Sequence, residues 1–265
     1  MKHANYSKEH ILYLKKKRRV KVLINVARVG LLVAILGIWE LLAQLKVIDP
    51  FITSSPSRVA VTIGELYNNG TLFSHIGITL LETLIGFIIA VVLGYTVAIL
   101  LYMSDSARKI FEPYIVVLNS LPKIALGPLI IIWFGTGYTA IIFMTVIVAV
   151  IVCIMNTLTG FLSVDKTMLT LMRAMGAKKR AILFKLVIPA SLPSMINTLK
   201  VAIGLAWIGS IMGEYVASRA GLGYLIVYGG QVLKLDLVMT STFILCILAG
   251  GMYGIISLIE KKLTK

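Results

Sequence analysis

Acidic residues are scarce in this chain of 265 residues: 11 Asp and Glu stand against 26 Lys and Arg, a formal net charge of +15. Cysteine and histidine are scarcer still, at 2 and 3. Two cysteines build no disulfide framework. Cys153 and Cys246 both fall inside apolar runs, where a free cysteine packs as a small hydrophobe. His3, His10 and His75 are scattered and lack metal-ligand spacing. The G-x-x-x-x-G-K-[ST] pattern of a P-loop is missing, and no Ser or Cys nucleophile comes with a plausible base. These absences exclude a disulfide scaffold, a metal enzyme, a P-loop ATPase and a covalent hydrolase. Charge of either sign is also low, at 14% of residues. That is too little to cover the surface of a soluble domain this apolar.

What is abundant is hydrocarbon. The chain is 58% hydrophobic, with a mean hydropathy of +0.95. Crossing a bilayer takes about 20 mostly apolar residues per helix, and only helices or closed barrels satisfy the backbone there. The apolar runs are long and do not alternate, so an all-α integral membrane bundle is expected. Six spans are read, at roughly 22–45, 76–102, 108–134, 138–162, 192–216 and 237–259. The second and third are long and carry Gly or Pro, so tilting or kinking is expected.

Lys and Arg set the orientation. Nineteen flank the spans on one side, in the N-terminal segment, around Arg108, between Lys166 and Lys185, and at the C-terminus. Four lie on the other side: Lys46, Arg58, Arg219 and Lys234. Both termini are therefore expected in the cytosol. Topology and anionic lipid explain the positive charge, without nucleic acid. The N-terminal apolar run is too long for a signal peptide and has no clean cleavage site, so it reads as an uncleaved first span. The chain divides into a basic cytoplasmic arm over 1–21, expected at the membrane surface, and a single transmembrane domain over 22–265. Outside the membrane, Ser55 can cap a helix with Pro56 at its first position and Val59, Ile63 and Leu66 on one face. A second external helix is expected after the glycine turn at Gly221. No internal repeat of the kind found in many secondary transporters is visible.

The loop over about 163–190 is the most distinctive stretch. Ser163 or Asp165 can cap a helix. Met168, Leu171, Met172 and Met175 follow at i, i+3, i+4 and i+7, one helical face. Gly176 stands where a helix end needs a left-handed residue. Lys178, Lys179 and Arg180 open a second basic helix, expected to end at Pro189. A methionine-rich face suits a protein groove. An amphipathic helix lying on the membrane would show the same periodicity, which does not choose between them.

Helix, glycine, twelve residues and proline resembles the coupling motif of ABC importer permeases. Gly176 takes the place of its glycine, Leu186 and Ile188 those of its Ile and Leu, and Pro189 that of its proline. Thr170, Leu171 and Met172 stand where the family has Glu-Ala-Ala. The stretches TLLETLIGF at Thr79–Phe87, LPKIALGPLIIIWFGTG at Leu121–Gly137 and the Ser191–Ile226 segment ending in GLGYLI resemble the nitrate/sulfonate/taurine branch, over about residues 30–260. Glu82 departs from it, where an arginine is expected. The resemblance implies a type I ABC importer permease of six transmembrane helices in a bacterial-type inner membrane. It implies a second permease copy, two cytoplasmic ATP-binding subunits that hold the ATP and magnesium, and an external solute-binding protein. No cofactor is expected in this chain. The solute implied is a small anion such as nitrate, a sulfonate or taurine, or a vitamin-precursor-like molecule. The ATPase-docking residues implied are Met168, Thr170, Leu171, Met172, Ala174, Met175, Gly176 and Ala177.

Within the third span, Pro122 and Pro128 remove backbone hydrogen bonds, and Lys123 lies between them. A charge at mid-membrane costs about 2.5–3.5 kcal/mol on insertion scales. Lys123 either snorkels or pairs structurally, or it meets the solute. Pro122, Lys123, Pro128 and Glu214 are the candidate pathway residues. Glu82 and Glu214, in the outer halves of spans two and five, can pair with a buried base or face a cavity mouth. Lys200 is expected to snorkel. Gly209 and Gly213, and Gly250 and Gly254, are expected to allow close helix contact. A self-sufficient secondary transporter is the competing class; it would not need the Met168–Met175 stripe.

Overall fold

The computed structural model describes residues 8–263; residues 1–7 of the basic arm and the last two residues lie outside the described residues. No strand occurs among those described. The helix α1 (Lys8–Gln44) runs unbroken through the rest of the basic arm and the first span, because no proline or glycine interrupts it before Gly30. From Lys8 onward the arm is thus helix continuous with the first span. Two short helices follow, α2 (Pro50–Thr53) and α3 (Pro56–Asn68), the latter capped by Ser55 as its sequence predicts. Then come α4 (Leu72–Met103), α5 (Asp105–Ser120), a 3-10 turn over Lys123–Leu126 and α6 (Gly127–Phe134). The helix α7 (Tyr138–Leu162) leads to α8 (Lys166–Ala174) and α9 (Lys179–Ile182). A π-helical turn over Leu183–Val187 joins α9 to α10 (Ile188–Ala217), and α11 (Leu222–Gln231) and α12 (Leu235–Leu263) complete the chain.

Five helical stretches are long and apolar enough to cross a membrane, and α5 with α6, bent by 84° at its break, makes a sixth if the pair crosses as one span. The expected third span is therefore two half-helices rather than one kinked rod. Pro122 and Pro128 have no N–H to continue the ladder, so the backbone turns between them.

The core is a three-helix seam of α4, α7 and α10, brought together by missing side chains. A Cβ on Gly86 of α4 would lie 2.4 Å from the Thr145 side chain of α7, and one on Gly209 of α10 would lie 2.7 Å from the Thr145 Cα. Thr145 is thus gripped between two glycines. Gly213 repeats the contact one turn later against Ile141. In lipid, where apolar faces gain little by leaving hydrocarbon, such close backbone approach drives association. Hydroxyls add to it: Thr83 and Ser210 bond at 2.7 Å across α4 and α10, and the Tyr95 hydroxyl donates to the Met195 carbonyl at 2.8 Å. Gly250 and Gly254 of α12 behave differently. A Cβ on either would meet nothing within 4 Å, so they face outward in the protomer and not into a helix contact. Cys153 is buried in the seam and Cys246 is exposed.

Candidate functional site

At one end of the bundle α8 stands out from the core. The Asp165 carboxylate accepts from the Thr167 N–H at 2.8 Å and starts the helix. It ends in a Schellman closure: Gly176 N–H donates to the Arg173 carbonyl and Ala177 N–H to that of Met172. Gly176 has φ 79°, a left-handed conformation that a side chain strains. The helix divides its apolar residues between two faces. Met168, Leu171 and Met175 are 51, 55 and 75% exposed, and Thr170 and Ala174 are exposed beside them. Leu169, Met172 and Ala177 pack inward on a cluster that includes Phe161, Ile182 and Leu183. The sequence pattern grouped Met172 with the outward stripe; the structure uses it to hold the helix down. The stripe at i, i+3 and i+7 remains, three large apolar side chains that the described residues leave uncovered.

The segment after α8 does not end at Pro189. The helix runs on from α9 through the π-helical turn into α10, with the Ile188 N–H donating to the Leu183 carbonyl. A proline within an α-ladder clashes with the carbonyl four residues back; the wider turn just before Pro189 relieves this. Leu183 and Val187 of the turn are buried. α9 is thus joined to the α10 rod by continuous, packed helix, with α8 seated on the same cluster. Lys179 also pairs with Asp105 at 2.9 Å, linking α9 to the start of α5.

The broken third span presents an open apolar wall. No α5 residue is buried. Gly127 and Ile130 of α6 are the buried face of that half-helix, while Ile132 and Trp133 are strongly exposed. Pro122 caps the 3-10 turn and Pro128 lies in the first turn of α6. Both prolines are exposed and Lys123 between them is half-buried. Its ammonium donates to the Asn119 carbonyl at 3.0 Å and the Asn119 Oδ1 at 3.4 Å. It thereby serves the end of α5, where a cation favours the helix dipole.

Glu214 is placed differently. Its side chain is 1% exposed and its Oε2 accepts from the Gly223 and Tyr224 N–H groups at 2.6 and 3.2 Å. The Thr79 hydroxyl accepts from Leu222 N–H at 2.8 Å, and His75 Nδ1 from Gly221 N–H at 3.0 Å. Side chains of α4 and α10 thus meet the amides that the first turn of α11 leaves free. Gly221, at φ 112°, lets the chain pass the Glu214 carboxylate, which an added Cβ would strike. His75 and Thr79 were not singled out in the sequence; a capping residue some 140 positions away leaves no local pattern. Lys200 pairs with Glu260 of α12 at 2.5 Å rather than snorkelling. A helical ladder had no way to show which residue of the sixth span would stand beside it.

Residues 86–264 match the family described as the binding-protein-dependent transport system inner membrane component. The taurine transport system permease protein of Escherichia coli is 27% identical over 226 residues, 83% of this chain and 82% of that protein. The formylaminopyrimidine transport permease protein of Halalkalibacterium halodurans is 30% identical over 187 residues, 71% of this chain and 74% of that one. In fold, a chain of the methionine ABC transporter MetNI, solved in inward-facing conformations, superposes with a TM-score of 0.66 at 22% identity, covering 73% of this chain and 96% of that chain. A glycine-seamed bundle, a broken third span and an outstanding amphipathic helix thus meet a family match over most of the chain. The chain belongs to the binding-protein-dependent transport system inner membrane component family, and it is the membrane permease subunit of an ABC importer.

Proposed function

We propose that two copies of this chain close around one pathway and carry a small anionic or zwitterionic solute, of the sulfonate or taurine kind, into the cytosol. An external binding protein delivers the solute. Two separate ATP-binding subunits, which hold the ATP and magnesium, dock on α8 and drive the cycle. Both termini face the cytosol in this reading, and α3 and α11 face the outside. The observation that carries it is the stripe of Met168, Leu171 and Met175, held rigidly and left uncovered at the basic end of the bundle. Thr170, Ala174 and Gly176 edge the same contact, with Met172 and Ala177 seating it from beneath. ATP-driven closure of the partner subunits pushes α8, and the α9–α10 helix passes the movement into the seam. On the pathway side, the α5–α6 wall meets its copy across the dimer, with Pro122, Lys123 and Pro128 lining the passage and Glu214 bracing it from behind. Two Lys123 ammonium groups facing one another raise the potential in the passage and favour an anion. The solute class follows from that charge and from the taurine permease among the relatives.

The test is Leu171→Asp, which puts a charge into the proposed apolar groove. Uptake is expected to fall to background. A P-loop ATPase that co-purifies with the wild-type chain in mild detergent is expected to be lost, while the permease still inserts. Normal uptake with a stable ATPase complex in this variant would overturn the docking reading.

A further inference from the structure

Glu82 of α4 is the least explained group in the fold. It is 2% exposed, and both of its carboxyl oxygens are buried without a hydrogen-bond donor. Glu82 lies on α4 between Thr79, whose hydroxyl takes the Leu222 N–H beside the Glu214 site, and Thr83, bonded to Ser210 one turn before Glu214, so a second buried carboxyl faces it across α4 and α10. Glu214 gives its Oε2 to the amides of α11, and its Oε1 is the oxygen left without a partner. His75 on α4 is engaged with Gly221, and the other groups nearby, Tyr138 of α7, Tyr215 of α10 and Tyr224 of α11, carry phenols rather than ammonium or guanidinium groups. Arg219, in the turn before α11, lines a cavity of about 370 Å³ that Glu82 also borders, and among the described residues it makes no ion pair. Among the described residues no Lys or Arg bonds either carboxyl. Two carboxylates that close, removed from water, cannot both be ionised.

We propose that Glu82 and Glu214 form a proton-binding site, in which Glu82 holds the proton and donates it to Glu214 Oε1. One proton then gives a partner to one oxygen of Glu82 and to Oε1 of Glu214. It leaves one negative charge on Glu214, where the N-terminus of α11 favours it. It also makes a three-way latch: α4 through Glu82, α10 through Glu214, and α11 through its first amides. The cavity bordered by Glu82, Tyr138 and Arg219 leads from this latch toward the α11 end, so the proton exchanges with that side of the membrane. Removing it sets two like charges against each other between α4 and α10, and the latch opens. The site therefore couples the α11 end of the permease to the pH on that side. The latch rests on burial and partners within one chain and stands independently of the docking and pathway proposals.

Infrared spectroscopy of the full-length permease in nanodiscs reads the proton directly, since a protonated carboxyl has a C=O stretch that a carboxylate lacks. Wild type is expected to show this band at neutral pH, and Glu82→Gln to lack it while keeping its melting temperature, because the amide still donates to Glu214. On alkaline titration the wild-type band and melting temperature are expected to fall together. Glu82→Gln should not follow, because its donor does not titrate. Glu82→Arg, a second variant that supplies donors without a titrating acid, should also lack the band and resist alkali. An unchanged band in both variants would overturn the proposal. So would a wild type with no band whose stability instead depends on sodium or potassium, which would make the occupant a metal cation.

Discussion

A lysine at a break in a membrane helix can serve the backbone or the solute, and Lys123 is placed for both. Its ammonium reaches the Asn119 carbonyl at the end of α5, yet the turn that carries it stands on the open wall of α5 and α6. The capping contact is to a carbonyl and an amide oxygen, which do not neutralise the charge. A charge held at depth costs about 2.5–3.5 kcal/mol, and hydrogen bonds to two neutral oxygens leave the charge itself, and so a surplus cost, uncompensated. In the proposed dimer the surplus is recovered by facing water and an anion. Lys123→Met, which keeps length and removes charge, is expected to abolish uptake and solute-stimulated ATPase activity with normal protein level. Lys123→Arg should retain part of both. Wild-type uptake by the Met variant would take this residue out of the pathway. The sequence located the charge and both prolines; it held no sign of Asn119 as a partner, because that contact depends on where the chain turns.

Among the helices, the legible features were those written in local pattern. The caps at Ser55 and Asp165, the glycine closure of α8 and the span over Tyr138–Leu162 all follow from residues a few positions apart. Three-dimensional partners were not legible. Gly209-x-x-x-Gly213 and Gly250-x-x-x-Gly254 have the same spacing, yet the first pair meets α7 at backbone contact and the second meets nothing in the protomer. Pattern gives the spacing of a small face but not what covers it. The difference is measurable. Gly209→Ala drives a methyl into the Thr145 backbone, an overpacking that costs about 1–3 kcal/mol, and should lower the melting temperature and weaken assembly. Gly250→Ala has open space and a better helix former, worth up to about 1 kcal/mol, and should leave the melting temperature unchanged or raised. Equal losses in both variants would contradict a seam made of α4, α7 and α10 alone.

At the scale of the whole molecule, two observations of different origin agree on the same axis. The Lys and Arg distribution separates the α8 end from the α11 end by charge alone. The structure places α8, α9 and the start of α5 together at the first end, through Lys179 and Asp105. It places α3 and the start of α12 together at the other, through Arg58 and Asp236 at 2.8 Å. Neither surface ion pair contributes much stability; their value here is that each marks which loops share an end. The proposed cycle needs those ends on opposite sides of the membrane, with α8 in the cytosol where ATP is. Single cysteines at Asn68 and at Lys178, both exposed, in a Cys153→Ala and Cys246→Ala background, test it. An impermeant maleimide added to intact cells is expected to label the Asn68 position, and the Lys178 position only after the membrane is opened. Labelling of Lys178 from outside would put α8 beyond the reach of ATP and remove the docking proposal, whatever the Leu171 variant does. Labelling of both positions from outside would further show that the chain crosses the membrane an even number of times between them, which the broken pair of α5 and α6 permits only if it enters and leaves by the same face.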